Sequence, residues 1–270
     1  SYSLPLFGSM FFQQLYTLAD SFVAGRFIDE NALASIGNGY EITLLFIAFA
    51  TGCRTGCSVN AARHFGAKDY KKVRTAITTA LLSTAVMCAL LMTLGFFGSP
   101  FLLHLIHTPE TLLADSLTYL RIYAGGLGFM FLYNVSTGIF SALGDSKTPF
   151  CFLAISSTAN IFLDILFVAQ FDMGVAGVGW ATFLCQGAAC VPAALVVLKK
   201  FRKLPTEKAP LVTKESLFDF IYVAIPATLQ QGIIVTGNMI IQGVVNLYGA
   251  AVTAGYSVAV KLINLTTGCF

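Results

Sequence analysis

Long apolar runs, interrupted only by short clusters of glycine, proline and charge, dominate the chain. Segments 3–26, 31–62, 75–103, 113–141, 148–170, 175–198 and 217–246 are each predicted to be a helix, and an eighth begins near residue 250. At about 20 residues per crossing, each run is long enough to span a bilayer. The pattern predicts an all-α, polytopic transmembrane helix bundle. The eighth run is unfinished at Phe270 and the first starts at Ser1 without an initiator methionine, so the sequence is expected to be a fragment of a longer chain.

Composition sharpens this picture. Only 11% of residues are charged and 56% are apolar, against roughly 25% charged in soluble domains. With a mean hydropathy of +0.77, there is too little polar surface to cover a water-facing globule, which excludes a soluble enzyme of ordinary design. The net charge of +3 gains meaning only from where the basic residues fall. Arg63, Lys68, Lys71, Lys72 and Arg74 fill one connection, Lys147 the next alternate one, and Lys199, Lys200, Arg202, Lys203, Lys208 and Lys214 the one after, together twelve of the 16 basic residues. The intervening connections hold only Arg26. This alternation follows the positive-inside rule and predicts a cytoplasmic amino terminus in a multi-pass protein of the cell membrane. The clusters speak for topology and attraction to membrane lipid head groups rather than for nucleic acid.

The seven cysteines (53, 57, 88, 151, 185, 190 and 269) lie almost entirely within apolar runs, and an odd count at that depth describes packing residues, not a disulfide framework. Cys53 and Cys57 are one turn apart, yet no third metal ligand is near them in sequence. His64, His104 and His107 fall at helix ends, where solvated edge histidines are expected.

A weak internal echo links Leu4-Pro5, Gln13-Gln14, Gly25 and the small-residue stretch from Ala32 to Ile225-Pro226, Gln230-Gln231, Gly243 and the stretch from Ala251. Between the copies lies the most charged segment of the chain, with Pro205 and Pro210. The predicted organisation is an amino-terminal lobe of six helices over 1–198, a cytoplasmic linker over 199–215, and the start of a second lobe over 216–270. Repetition about such a linker suits a transporter whose lobes rock around a midplane site.

Charge at membrane depth costs roughly 2.5–3.5 kcal/mol per residue on insertion scales, so every instance is a functional candidate. Asp20 lies in the first predicted helix with Gln13, Gln14, Tyr16 and Thr17. Asn160 and Asp164, four apart, share a helix face on which their oxygens can converge on a cation or a proton-bearing partner. Glu41 and Arg54 are thirteen residues apart and off a common face, so each is expected to meet a neighbouring helix or reach an interface. Arg121 and Lys261 lie close to membrane edges and are expected to snorkel. Pro5 removes a backbone hydrogen bond and is a candidate hinge. The glycines at 125, 126, 128, 174, 177 and 179 are read as permitting close helix packing. No nucleotide-binding loop, metal-ligand cluster or activated nucleophile is present in the sequence, so neither an enzyme, an ATP-driven device nor a bound cofactor is expected.

Four stretches carry a resemblance: Pro5 to Asp20 followed by Ser-Phe-Val-Ala-Gly25; Gly52 to Gly66-Ala-Lys-Asp69; Ala142-Leu-Gly-Asp-Ser-Lys-Thr-Pro149; and Asn160-Ile-Phe-Leu-Asp164 leading to Met173-Gly-Val-Ala-Gly-Val-Gly-Trp-Ala-Thr182. In this order and spacing the chain resembles the multidrug and toxic compound extrusion (MATE) transporters, in their prokaryotic DinF-like branch. The resemblance implies a twelve-helix, two-lobed antiporter that exports bulky, mostly cationic organic compounds in exchange for protons or sodium, with no obligatory protein partner. It places the coupling-cation site, which would hold sodium in a sodium-coupled member, at Asp20, Asn160, Asp164 and Thr182. Gln13 and Tyr119 would line the same lobe's cavity. The NorM branch also uses a glutamate in its seventh helix. Here Gln230 and Gln231 stand near that place and no carboxylate does, which shifts coupling onto the amino lobe. The alternative is a flippase for lipid or lipid-linked oligosaccharide of the same superfamily, from which a basic cavity lining is expected.

Overall fold

A computed structural model describes Leu18, Phe22, Val23 and residues 25–205 and 209–267. Its helices are α1 (Glu30–Gly66), α2 (Tyr70–Leu105), α3 (Glu110–Ala142), α4 (Lys147–Ile165) with a π-helical turn over Leu166–Gln170, α5 (Gly174–Arg202), α6 (Lys214–Asn246) and α7 (Ala250–Thr267). Five of them are long and apolar enough to cross a membrane: Asn31–Gly66, Tyr70–Leu105, Lys147–Gln170, Gly174–Arg202 and Lys214–Asn246. Helices suit that setting because each satisfies its own backbone amides.

Helix starts are set by local chemistry. The Asp29 carboxylate accepts from the Ala32 amide at 2.7 Å, the Asp69 carboxylate from Lys72 at 3.1 Å, and the Thr213 hydroxyl from Ser216 at 3.2 Å. Each occupies one of the amides a helix start leaves open. α1 runs through the middle of the bundle, packed against α3 and α6 and touching α2 and α7, while α3 leans on α2 and α5, and α4 on α5.

The burial pattern is inverted relative to a soluble bundle. On α2 the large side chains Leu82, Val86, Leu90, Leu94, Phe97 and Phe101 are exposed. Its inner face is built largely of small or polar residues, among them Thr84, Cys88, Gly95 and Ser99. Lipid tails are as apolar as leucine, so close packing and polar contacts, rather than burial of bulk, draw such helices together. Cys53, Cys57, Cys88, Cys185 and Cys190 are buried as free thiols and Cys151 is exposed.

The connection between α5 and α6 is shorter than the predicted 199–215. α5 continues to Arg202, with Lys199, Lys200 and Arg202 in its last turn, and α6 begins at Lys214. Cations at a helix carboxy terminus oppose its unsatisfied carbonyls, so this charge prolongs the helix instead of ending it. Beyond it, the chain folds back on α2: the Thr75 and Thr78 hydroxyls donate to the carbonyls of Pro210 and Leu211 at 2.9 and 2.6 Å.

Between α3 and α4 the chain turns at Gly144, whose φ of 75° is a left-handed conformation that glycine adopts without strain. The adjacent Asp145 accepts from the Thr148 amide at 3.0 Å, the Thr148 hydroxyl at 2.6 Å and the Lys200 ammonium at 2.5 Å. One carboxylate thus starts α4 and ties it to the end of α5. Partial burial alone would raise the Asp145 carboxyl; the Lys200 bond, then the two Thr148 bonds, outweigh it and hold the carboxyl at about 2, below its ordinary 3.8. A depressed carboxyl contributes stability above its unfolded pKa and loses it as pH falls through the folded one. The clamp's contribution is therefore expected to be complete above about pH 4 and to fade toward pH 2. Thermal unfolding between pH 5 and 2.5 should show a smaller acid loss for Asp145→Asn than for the wild type, and parallel curves would disprove the clamp.

Candidate functional site

α4 carries a polar stripe on its inner face. Its buried residues are Pro149, Ser157, Asn160 and Asp164, whereas Ile155 and Phe162 point outward and are exposed. Asn160 is 2% exposed and Asp164 0%. An amphipathic helix with its apolar face outward and an acid inward fits a membrane bundle built around a polar interior. Immediately after Asp164 the helix widens into the π-helical turn, a feature that recurs at functional sites.

α5 supplies the facing wall. The Ser156 hydroxyl donates to the Cys185 carbonyl at 2.7 Å. Since α4 and α5 run antiparallel, that contact sets a register in which Asn160, four residues on, lies across from Ala181, the neighbour of Thr182. Thr182 is buried too. Among the described residues, the Ser157 hydroxyl, both polar atoms of the Asn160 amide and the Thr182 hydroxyl have no hydrogen-bond partner. Buried polar groups are normally satisfied, so several left open around one acid mark a place prepared for something else. Carboxylate, amide and hydroxyl oxygens suit a proton or a hard cation. No group of three or more His, Cys, Asp or Glu side chains converges among the described residues.

Tyr119 is buried in a small apolar cluster with Val168, one turn beyond Asp164, and Val178, one turn before Thr182. Its ring lies against Gly39 of α1, where a Cβ would approach to 2.5 Å. The structure thus brings Asn160, Asp164, Thr182 and Tyr119 to one region of the bundle. Asp20, Gln13 and Pro5 lie outside the described residues.

A second buried polar group was not legible in sequence. Asn38 and Glu41 of α1, Gln242 and Asn246 of α6, and Thr253, Ser257 and Lys261 of α7 are all buried. Gln230 and Gln231, the amides singled out in that helix, are exposed. The expectation that Lys261 snorkels is corrected: it is 2% exposed, with its ammonium 5.2 Å from the centre of the Tyr40 ring. The reason is tertiary, because Ala254, Ser257 and Lys261 form the stripe of α7 that is turned inward. Arg121 does behave as expected, exposed and resting over the Phe96 ring at 5.6 Å. The sequence marked one member of this group, Glu41, as a charge expected to meet a neighbouring helix, and the spacing of Gln242 and Asn246, one helical turn apart, is a further signal that could have found the rest.

The MatE family model matches residues 5–166. The chain belongs to the MatE family. Among its relatives are the probable multidrug resistance proteins YpnP and YoeA of Bacillus subtilis (strain 168). YpnP is 32% identical over 98% of this chain and 60% of its own length, and YoeA 29% identical over 94% and 57%. The MatE chain described here therefore spans about 60% of the length of the curated relatives it matches. Among solved structures, it superposes on one described as the inward-facing conformation of a multidrug resistance MATE family transporter of the MOP superfamily. That match has a TM-score of 0.81 at 21% identity and covers 95% of this chain and 60% of the other. The likeness shows a partial MATE fold, a multi-pass membrane architecture.

Proposed function

We propose that this chain forms the amino lobe and the first helices of the carboxy lobe of a multidrug exporter that exchanges bulky organic cations for protons or sodium by alternating access. The observation that carries the reading is the inward polar stripe of α4, with Asp164 one turn from Asn160 and both buried. On the sequence resemblance, Asp20 of the first predicted helix completes the set, and Tyr119 and Gln13 are assigned to the same lobe's cavity. A carboxylate held in a low-dielectric interior demands a compensating positive charge. A proton, a sodium ion and a cationic drug are alternative answers to that demand, and competition among them for one negative site is antiport. Pro5 would serve as the hinge of the first helix.

On the alternation of basic connections, the amino terminus and the α5–α6 connection face the cytoplasm of a cell whose plasma membrane holds the protein. The multidrug names of the relatives and the acidic character of the stripe favour this reading over a lipid flippase. The direct test is ethidium transport by the full-length protein in liposomes under an imposed sodium or pH gradient. One of the two gradients is expected to drive transport against the dye's own gradient and its collapse to stop it; transport indifferent to both would overturn the proposal.

A further inference from the structure

Outside the α4 stripe, the buried charged side chains among the described residues are Glu41 of α1, 4% exposed, and Lys261 of α7. The Lys261 ammonium rests 5.2 Å from the centre of the ring of Tyr40, the neighbour of Glu41 on α1, so the two buried side chains of opposite charge sit at the same level of the α1–α7 contact. Their helices meet at backbone distance just beside the pair: a Cβ on Gly37 would come within 2.0 Å of the Ser257 hydroxyl. One turn from Glu41, the Asn38 side-chain oxygen accepts from the Gln242 amide at 2.7 Å, and the same Gln242 amide donates to Asn246 at 3.2 Å. Asn246 in turn donates to the Ile106 carbonyl at 2.7 Å and accepts from the Thr253 hydroxyl at 3.1 Å. A continuous polar seam therefore joins α1 and the α2–α3 connection, on one side, to α6 and α7 on the other.

We propose that this seam is a gate between the two lobes and that Glu41 and Lys261 are its lock, made and broken as the transporter cycles. The role in the cycle rests on the alternating-access reading above; the pairing itself does not. Two features of the chemistry favour a gate over a permanent joint. Polar contacts exchange for water at small net cost when two surfaces part, whereas an apolar seal would expose its whole area. Two opposite charges satisfy each other only while the seam is shut, and either one left alone in the interior is strongly unfavourable, so the pair makes closure all-or-none. In the proposed orientation the seam lies at the outer end of the bundle.

The test uses the full-length protein in liposomes, free of any gradient, with its native cysteines replaced and a single reporter introduced as Ser257→Cys. The rate at which a membrane-impermeant maleimide labels the reporter reads the seam directly. Glu41→Gln and Lys261→Met are each expected to raise labelling about tenfold, because each leaves a lone buried charge that draws water in. The double variant, which leaves no lone charge, and the exchanged pair Glu41→Lys with Lys261→Glu are expected to stay within about threefold of the parent. Labelling in the double variant equal to the product of the two single effects, or unmoved in both singles, would overturn the pairing. Should the single variants fail to accumulate, normal accumulation of the double and exchanged variants supports the lock, and their failure as well overturns it. Because no transport is measured, a failure of ethidium exchange would reject the antiporter reading and leave this result standing.

Discussion

On the proposed function, replacing Asp164 with asparagine in the full-length protein is expected to cut export of a cationic dye by about tenfold to a hundredfold, the difference between a charge-assisted and a neutral contact to the cation. The substitution keeps the shape and an acceptor oxygen and removes only the charge, at a side chain that is completely buried. The unfolding midpoint is expected to stay at or above that of the parent, because the desolvation of a buried carboxylate disappears with it. Asn160→Ala and Thr182→Ala remove neutral ligands and should each cost less than the charge does. Ethidium efflux from cells, normalised to the amount of protein in the membrane, reads all three. Parent-level efflux from Asp164→Asn would remove the α4 stripe from the coupling mechanism, and a lowered midpoint with lowered efflux would make Asp164 a structural residue instead.

That the buried face shared by Asn160 and Asp164 could be read from the sequence, while the burial of Lys261 could not, has a physical cause. Asn160 and Asp164 announce themselves because they are four residues apart in a run with no other reason to contain an acid, and the register of one helix is enough to put them together. Lys261 carries no such local signature. A lysine near the end of an apolar run is ordinarily free to reach water, and only the approach of α7 to α1 at Gly37 and Ser257 closes that route. The same distinction separates Gln242 from Gln230 and Gln231: all three lie in α6, but only Gln242 sits where the helix turns toward Asn38. Helix ends show a related limit. α2 starts at Tyr70 rather than 75 because Lys71, Lys72 and Arg74 occupy its first turns, where hydropathy reports the hydrocarbon boundary and not the helix. The fold class follows from single-helix properties; a contact between distant helices depends on crossing geometry that no local pattern contains.

Gly138 of α3 is where that crossing geometry is least forgiving. A Cβ there would stand 2.6 Å from the carbonyl oxygen of Arg54 and 3.4 Å from its Cγ, so the obstacle is the backbone of α1 itself and no rotamer change can relieve it. Gly138→Ala must push α1 and α3 apart along one of the main contacts of the bundle. Overpacking of this kind costs about 1–3 kcal/mol, and the unfolding midpoint of the full-length protein in detergent is expected to fall by several degrees. Gly125, on the same helix, supplies the control: it is exposed, and a Cβ there meets nothing within 4 Å. Gly125→Ala gains helix propensity of up to about 1 kcal/mol without a clash, so its midpoint should hold or rise. The pair of substitutions isolates the helix contact from the generic effect of adding a methyl group to α3. Equal midpoints for the two variants would mean that α1 and α3 do not approach at Gly138 as closely as described, and with that the central place of α1, which carries both Glu41 and the wall against Tyr119, would have to be redrawn.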